Sequence, residues 1–361
     1  MNNFQIIIMA IACLTSIATV LPGVFLVLRG VALMSDAISH AILPGIVLMF
    51  FLVHNLESPL LILGAALAGL ATVIITEKII ASKRLKKDSA IGIVFPLFFS
   101  VGIILISMYA RNVHLDMDMV LLGELAFAPF NRLEFFGSDW GPRALWSMGS
   151  IALLNIIFVV SCYKELRLST FDPQFSHMLG FTPTYLYYAL MTLTSITAVG
   201  AFNVVGSIVV VALMITPPAT AYLLTHKLDL MIYLSVALGI ASSIGGYWLA
   251  HLLNVSIAGA IATMSGILFL IALLFAPEKG LLASYVVNRR NKRAIANTVL
   301  QTYLRAQPTH CAPLAALQRD LGWSNAYIKN LVEPDEQYAL ITIQQEPHVM
   351  IGRSSASGNN T

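Results

Sequence analysis

Two residues four positions apart, Asp36 and His40, are the part of this chain best suited to chemistry. They lie in the run Leu33-Met34-Ser35-Asp36-Ala37-Ile38-Ser39-His40-Ala41. On a helix that separation puts both side chains on one face, with Ser39 beside them. A carboxylate and an imidazole together suit manganese, zinc or iron. The run is embedded in apolar text. His40 is eleven residues beyond Arg29, which at ~1.5 Å per residue is roughly 16 Å, near the middle of a ~30 Å hydrocarbon core. A charged group at that depth costs about 2.5–3.5 kcal/mol on insertion scales. Chains retain such a cost where the residues face a polar path. The plainer alternative is that the two groups bond each other and hold helices together. A pair is too few ligands for a complete metal site, so another helix or a second subunit must contribute. Pro44-Gly45, one turn on, predicts a kink or unwound backbone, tolerable only beside a cavity or protein.

A second constellation is Thr170-Phe171-Asp172-Pro173-Gln174-Phe175-Ser176-His177-Met178-Leu179-Gly180. Asp172-Pro173 starts a short helix and Gly180 ends it. Phe171, Phe175, Met178 and Leu179 give it one apolar side, suited equally to a membrane surface or a soluble partner. A third is Pro217-Pro218 within an apolar span. Two prolines remove backbone donors and are expected to break the helix, freeing carbonyls to line a path; a kink used only for packing explains them as well. His114, Asp116 and Asp118, and likewise His54 and Glu57, are placed to meet an incoming cation from outside, or simply to be solvated. The chain has no GxxxxGK[ST] phosphate loop, no HExxH helix and no GxSxG elbow, so ATP binding in the P-loop manner and two common hydrolase designs are excluded. It is not read as an enzyme.

The elements that must position these groups follow from composition. Of 361 residues, 58% are hydrophobic and only 11% charged, against roughly a quarter charged in soluble domains. Mean hydropathy is +0.80. The chain is therefore expected to be an all-α polytopic membrane protein, with spans at Phe4–Leu28, Val31–His54, Pro59–Ile80, Ala90–Ala110, Ala144–Tyr163, Thr184–Phe202, Val204–Thr225, Leu230–Leu253 and Ile257–Ala276. That is about nine helices of roughly 20 residues, with a break expected near Phe202–Asn203. The first span lacks basic residues before it and a cleavage site after it, and is read as retained. Three cysteines without a CxxC pair indicate neither a disulfide framework nor a thiolate site.

Cationic loops set the expected orientation. Lys83, Arg84, Lys86 and Lys87 are richest; if they are cytoplasmic, alternation puts Arg29, Lys164, Arg167 and the Arg289–Arg293 cluster inside as well. The N-terminus then lies outside and the C-terminus in the cytoplasm. After the last span comes a basic linker, 281–293, then a small α+β domain, 294–352, and a disordered tail, 353–361. In that domain Ala294–Arg305, Pro313–Leu321 and Asn325–Val332 read as helices, the last capped by Ser324. Tyr338–Gln344 and His348–Ile351 read as strands. Three helices and a strand pair resemble a winged helix. Its third helix carries Lys329 as its one cation, which argues against nucleic acid as a partner.

The residues also resemble a family. Gly23-Val24-Phe25-Leu26-Val27-Leu28-Arg29 leading into Ser35-Asp36-Ala37-Ile38-Ser39-His40-Ala41-Ile42-Leu43-Pro44-Gly45 is similar to the signature of permeases in manganese, zinc and iron ABC importers, the zinc-uptake (ZnuB-like) and treponemal Tro-type permeases among them. Leu121-Leu122-Gly123-Glu124-Leu125 resembles the family's phenylalanine-glycine-aspartate motif, departing at Leu122 and Glu124. Val205-Gly206 through Pro217-Pro218-Ala219-Thr220-Ala221, and Ala258-Gly259-Ala260, resemble later motifs. The resemblance implies the fold of a type II importer-like ABC permease over 1–280. It implies a metal role for Asp36 and His40, with Ser39, Pro44, Pro217 and Pro218 along the path. It further implies contact with an ATPase at Phe171, Asp172, Pro173, Phe175, Leu179 and Gly180. The implied partners are a cytoplasmic ATPase dimer, a second permease subunit, an extracytoplasmic metal-binding protein and the lipid of a bacterial inner membrane. Manganese, zinc or iron would be cargo, with no permanently bound cofactor. A secondary transporter or channel for divalent cations, working without an ATPase, is the competing reading.

Overall fold

The structure is a computed structural model that describes residues 3–54, 58, 60–109, 125–135, 138–277, 279–307, 311–332, 338–343 and 346–351. The chain divides after Gly280 into two compact units. In the first, nine stretches among the described residues are long and apolar enough to cross a membrane. A bilayer interior offers no water to a free amide, so each span closes its own backbone bonds as a helix. The spans are α1 (Asn3–Leu28), α2 (Leu33–Ala41) with α3 (Leu43–Val53), α4 (Leu60–Ala81), α5 (Lys87–Tyr109), α6 (Arg143–Ser161), α9 (Pro183–Val205), α10 (Ser207–Leu224), α11 (Leu228–Leu253) and α12 (Ile257–Phe275). Two short helices, α7 (Tyr163–Phe171) and α8 (Pro173–Met178), separate α6 from α9. Between α5 and α6, where the sequence reads only as a loop, β1 (Arg132–Phe135) and β2 (Ser138–Pro142) pair antiparallel.

Helix α1 is central. It packs against α6, α9, α10 and α11, and Ile11, Val20, Val24 and Phe25 on its different faces are all fully buried. Helix α9 bridges from α1 to α2 and α4, while α5 covers α2 and α3. Ile93, Leu97, Val101, Ile104 and Met108 remain exposed along α5, an apolar stripe at helical spacing left for lipid or another chain. Glycines permit the closest crossings. A Cβ on Gly45 of α3 would stand 2.2 Å from the Gly64 carbonyl oxygen of α4, and one on Gly64 would stand 2.5 Å from that of Gly45. Small residues at such crossings let backbones approach where no hydrophobic force drives helices together.

The second span is divided at Ile42 into α2 and α3, beside the Pro44-Gly45 pair where a kink is expected; Pro44 cannot donate to the His40 carbonyl four residues before it. Two other expectations change. Pro217 and Pro218, by contrast, do not break α10, which runs continuously from Ser207 to Leu224. The Met214 carbonyl, which Pro218 cannot bond, lies against Gly23 of α1, where a Cβ would come within 2.1 Å of its oxygen. That carbonyl is taken up in the close packing of α10 against α1. The break between α9 and α10 falls at Gly206, with φ +81°, not at Phe202–Asn203. The basic segment 281–293 is helical, forming the first half of α13 (Leu281–Ala306).

The second unit continues from α13 with β3 (Cys311–Pro313), α14 (Leu314–Leu321), α15 (Asn325–Val332), β4 (Tyr338–Ile343) and β5 (Glu346–Ile351). The sheet order is β3-β5-β4, all antiparallel; β3 has no counterpart in the sequence reading. Gly322 ends α14 at φ +69°, and Ser324 Oγ accepts the Tyr327 amide at 3.3 Å. Leu300, Leu304, Leu317, Ile328 and Val349 form the core.

Candidate functional site

Helix α2 has a packed face and an open one. Met34, Ala37, Ile38 and Ala41 are buried against neighbouring spans, which fixes the helix rotation. Asp36 and His40 consequently point to the other side, their side chains 40% and 30% exposed, with Asp36 Oδ1 3.5 Å from His40 Nε2. That is longer than a well-formed hydrogen bond but within ion-pair reach. The imidazole lies 6.0 Å from the rings of both Phe95 and Phe99 on α5, which give it one apolar wall. Ser39 is buried, 2% exposed, and its hydroxyl donates to the Ser35 carbonyl at 2.9 Å. Among the described residues no third His, Cys, Asp or Glu joins the pair in a metal-holding group. Two donors leave a transition metal with open positions.

His54 ends α3 in a left-handed conformation, away from α2 along the span. Glu57, His114, Asp116, Asp118, the stretch 121–124 and the tail 353–361 lie outside the described residues.

The expected short helix is α8. Asp172 caps it, its Oδ1 accepting the Phe175 amide at 2.9 Å. Gly180, at φ +85°, closes it: the Gly180 amide donates to His177 and the Phe181 amide to Ser176, the paired bonds of a Schellman stop. Phe171, Phe175, Met178 and Leu179 are all exposed, Met178 at 85%. An apolar row with nothing over it is a docking or membrane surface. Behind it lies a cavity of about 290 Å³ lined in part by Phe158, Cys162, Glu165, Ser176 and Phe181. The Tyr163 hydroxyl, at the base of α7, donates to Asp229 at the start of α11; burial, then that hydrogen bond, push its pKa up to about 12.

Two polar clusters escaped the sequence reading. Arg29 donates from Nη2 to Ser169 Oγ at 2.8 Å and from Nε to Thr170 Oγ1 at 3.2 Å. Asn155 on α6, fully buried, donates to the Ala18 carbonyl of α1 at 3.0 Å and to Thr197 Oγ1 of α9 at 2.8 Å. An arginine before a helix-ending glycine, and an asparagine inside a span, were the available signals.

Nine spans among the described residues with α1 at their centre, an ionisable pair part-way through one of them and an exposed apolar helix on a loop define a polytopic membrane transport subunit. The chain belongs to the ABC 3 transport family, whose model matches residues 1–276. Among its relatives are the manganese transport system membrane protein MntD of Bacillus subtilis, 41% identical over 81% of this chain and 99% of the relative, and the zinc transport system membrane protein TroD of Treponema pallidum, 47% identical over 82% of this chain and 81% of the relative. The solved structure of PsaBC from Streptococcus pneumoniae in complex with Fab matches with a TM-score of 0.63 and 30% identity, covering 77% of this chain and 94% of that one.

Proposed function

We propose that this chain is the membrane-spanning subunit of an ATP-driven importer for divalent transition-metal ions, and that Asp36 and His40 bind the ion in transit. The observation that carries this is the partly exposed acid–imidazole pair on α2, in a chain whose family members are named for manganese and zinc transport. Iron stays in the proposal on donor chemistry alone. The incomplete donor set and the open face of α2 support a second permease subunit across the pathway. The exposed row on α8 supports docking of an ATPase dimer, since this chain has no phosphate loop of its own. Metal would arrive from an extracytoplasmic binding protein. Loop charges support an inner-membrane topology with the N-terminus outside and the second unit in the cytoplasm. Within that unit the order helix, strand, two helices, two strands, with β3 against β5, supports a winged-helix reading and a docking or regulatory role over nucleic-acid binding.

The test is metal uptake. Asp36→Ala and His40→Ala should abolish Mn²⁺ or Zn²⁺ accumulation while the complex still assembles; normal uptake by both variants removes the site. Gradient-driven flux through liposomes containing this chain alone would favour the channel or secondary-transporter alternative.

A further inference from the structure

Arg29, just past the end of α1, makes bonds that join the two ends of the proposed machine. Its backbone is held by a helix stop: Gly30, at φ +65°, donates to Val27 at 3.1 Å and Val31 donates to Leu26 at 3.0 Å. Two residues later α2 begins, with Asp36 at the end of its first turn. The guanidinium reaches the other way, to the Ser169 and Thr170 hydroxyls in the last turn of α7. Those residues immediately precede Phe171 and the capping Asp172 of α8. Ser169 is itself fixed, donating to the Leu166 carbonyl at 3.3 Å.

The same residue touches two more helices and reaches a third through one of them. Its guanidinium carbon stands 5.5 Å from the centre of the Tyr187 ring on α9, and the Tyr187 hydroxyl donates to Glu77 of α4 at 2.6 Å. Its carbonyl accepts from Lys87 Nζ, at the first residue of α5, at 3.2 Å. A planar fork can hold two hydroxyls and lie against an aromatic ring at once, which an ammonium cannot do in the same way. Its direct side-chain partners are neutral, so the contacts can be remade with less disruption than a buried ion pair, whose separation strands a charge.

We propose that Arg29 is the positioning residue that couples displacement of the α7–α8 segment to α2, and so to the geometry of Asp36 and His40. The proposal rests on the reading of α8 as the ATPase contact and of the pair as the metal site. Motion of α8 is carried by α7 to Ser169 and Thr170, by their bonds to Arg29, and by the short capped turn Gly30–Ala32 to α2. Tyr187 and Lys87 hold the guanidinium and the backbone of Arg29 against α9 and α5, the frame on which the turn pivots.

The experiment uses the complete transporter, with its ATPase and binding protein, in proteoliposomes. Arg29→Lys and the double variant Ser169→Ala/Thr170→Val are compared with the unaltered complex for Mn²⁺ affinity, ATP hydrolysis, and Mn²⁺ delivered per ATP hydrolysed. The expected result is Mn²⁺ affinity within twofold of the unaltered complex, with delivery per ATP at least tenfold lower in both variants. Unchanged delivery per ATP overturns the proposal. So does a parallel fall in hydrolysis and delivery, which marks a merely structural role, and so does loss of Mn²⁺ affinity. The double variant keeps Arg29 and the size of Thr170, so misfolding of the lysine variant does not end the test. Asp36→Ala serves as the control on the underlying reading: if it transports normally the metal site has failed, whereas if it is inactive and the Arg29 variants are fully coupled, only the coupling role has.

Discussion

Gly45→Ala tests whether the α3–α4 crossing holds the proposed gate in place. A Cβ at Gly45 would lie 2.2 Å from the Gly64 carbonyl oxygen and 2.7 Å from the Ala68 Cβ, whereas ordinary contact begins at 3.4 Å. The helices must therefore part by about 1.2 Å, the difference between 3.4 and 2.2 Å. Neither neighbour is the end of a flexible chain: one is backbone and the other a Cβ, so little can yield locally. Overpacking of this kind costs about 1–3 kcal/mol. Against it stands the gain of alanine over glycine in a helix, about 0.8–1 kcal/mol. The net is a loss of up to roughly 2 kcal/mol, with α3 displaced just beyond the turn that follows His40.

The chain supplies its own control. At Gly92 on α5 and Gly149 on α6 an added Cβ meets nothing within 4 Å, so alanine there should gain the helix-propensity term with no steric loss. Melting of the purified protein in detergent should fall for Gly45→Ala and hold or rise for Gly92→Ala and Gly149→Ala. Metal uptake should drop for the first only. Equal melting temperatures for all three would refute the argument, since the fit between α3 and α4 would then bear no strain.

Other consequences are as direct. Asp172→Ala removes the cap of α8, worth about 1 kcal/mol; ATPase subunits titrated against the permease in nanodiscs should bind roughly fivefold more weakly, while thermal stability of the spans is unchanged. Asn155→Ala deletes two interhelical bonds inside the membrane and should cost roughly 1–2 kcal/mol, read as a lower detergent melting point without loss of Mn²⁺ affinity. Tyr163 holds its proton more tightly when folded, so its bond to Asp229 contributes below the ordinary tyrosine pKa near 10 and is lost as pH rises through about 12. Ultraviolet titration of Tyr163→Phe against the unaltered chain should show the missing phenolate appearing in that upper range.

Legibility in the sequence followed the physics of each signal. Apolar length marks a span irrespective of partners, so the nine spans could be read directly, with ends set by charge and by glycine. Asp36 and His40 were visible because charge in apolar text is costly and their spacing shares a helix face. The cap at Asp172 and the stop at Gly180 were visible because both are local. Pro217-Pro218 misled: whether a proline breaks a helix depends on what receives the freed carbonyl, and Gly23, nearly two hundred residues away, could not be paired with Met214 from one sequence. The burial of Ser39 was not legible for a related reason, since the share of the α2 surface taken by packing is set by α4, α5 and α9. The Arg29 and Asn155 clusters are tertiary throughout, and polar residues that choose partners across helices leave no periodicity.

A transport site must bind its ion and then lose it, so completeness within one rigid element would be a defect. The arrangement on α2 is suited to both halves of that task. At the proposed site two donors one turn apart would give an ion a fixed partial shell, and Phe95 and Phe99 stand on one side of the imidazole. Donors supplied by water or by another chain could be withdrawn by moving one body against the other. Helix α2 is short, nine residues, separated from α3 where Pro44 denies the His40 carbonyl its bond, and joined to α1 by a turn that Arg29 ties to the α7–α8 segment. Such an element can rotate as a unit without unwinding a full span. Restoring the missing backbone donor with Pro44→Ala should fuse α2 to α3 and stiffen it. Mn²⁺ should then bind at least as tightly as before, while transport per ATP falls. Faster transport by that variant would show that the division at Ile42 is not needed for release.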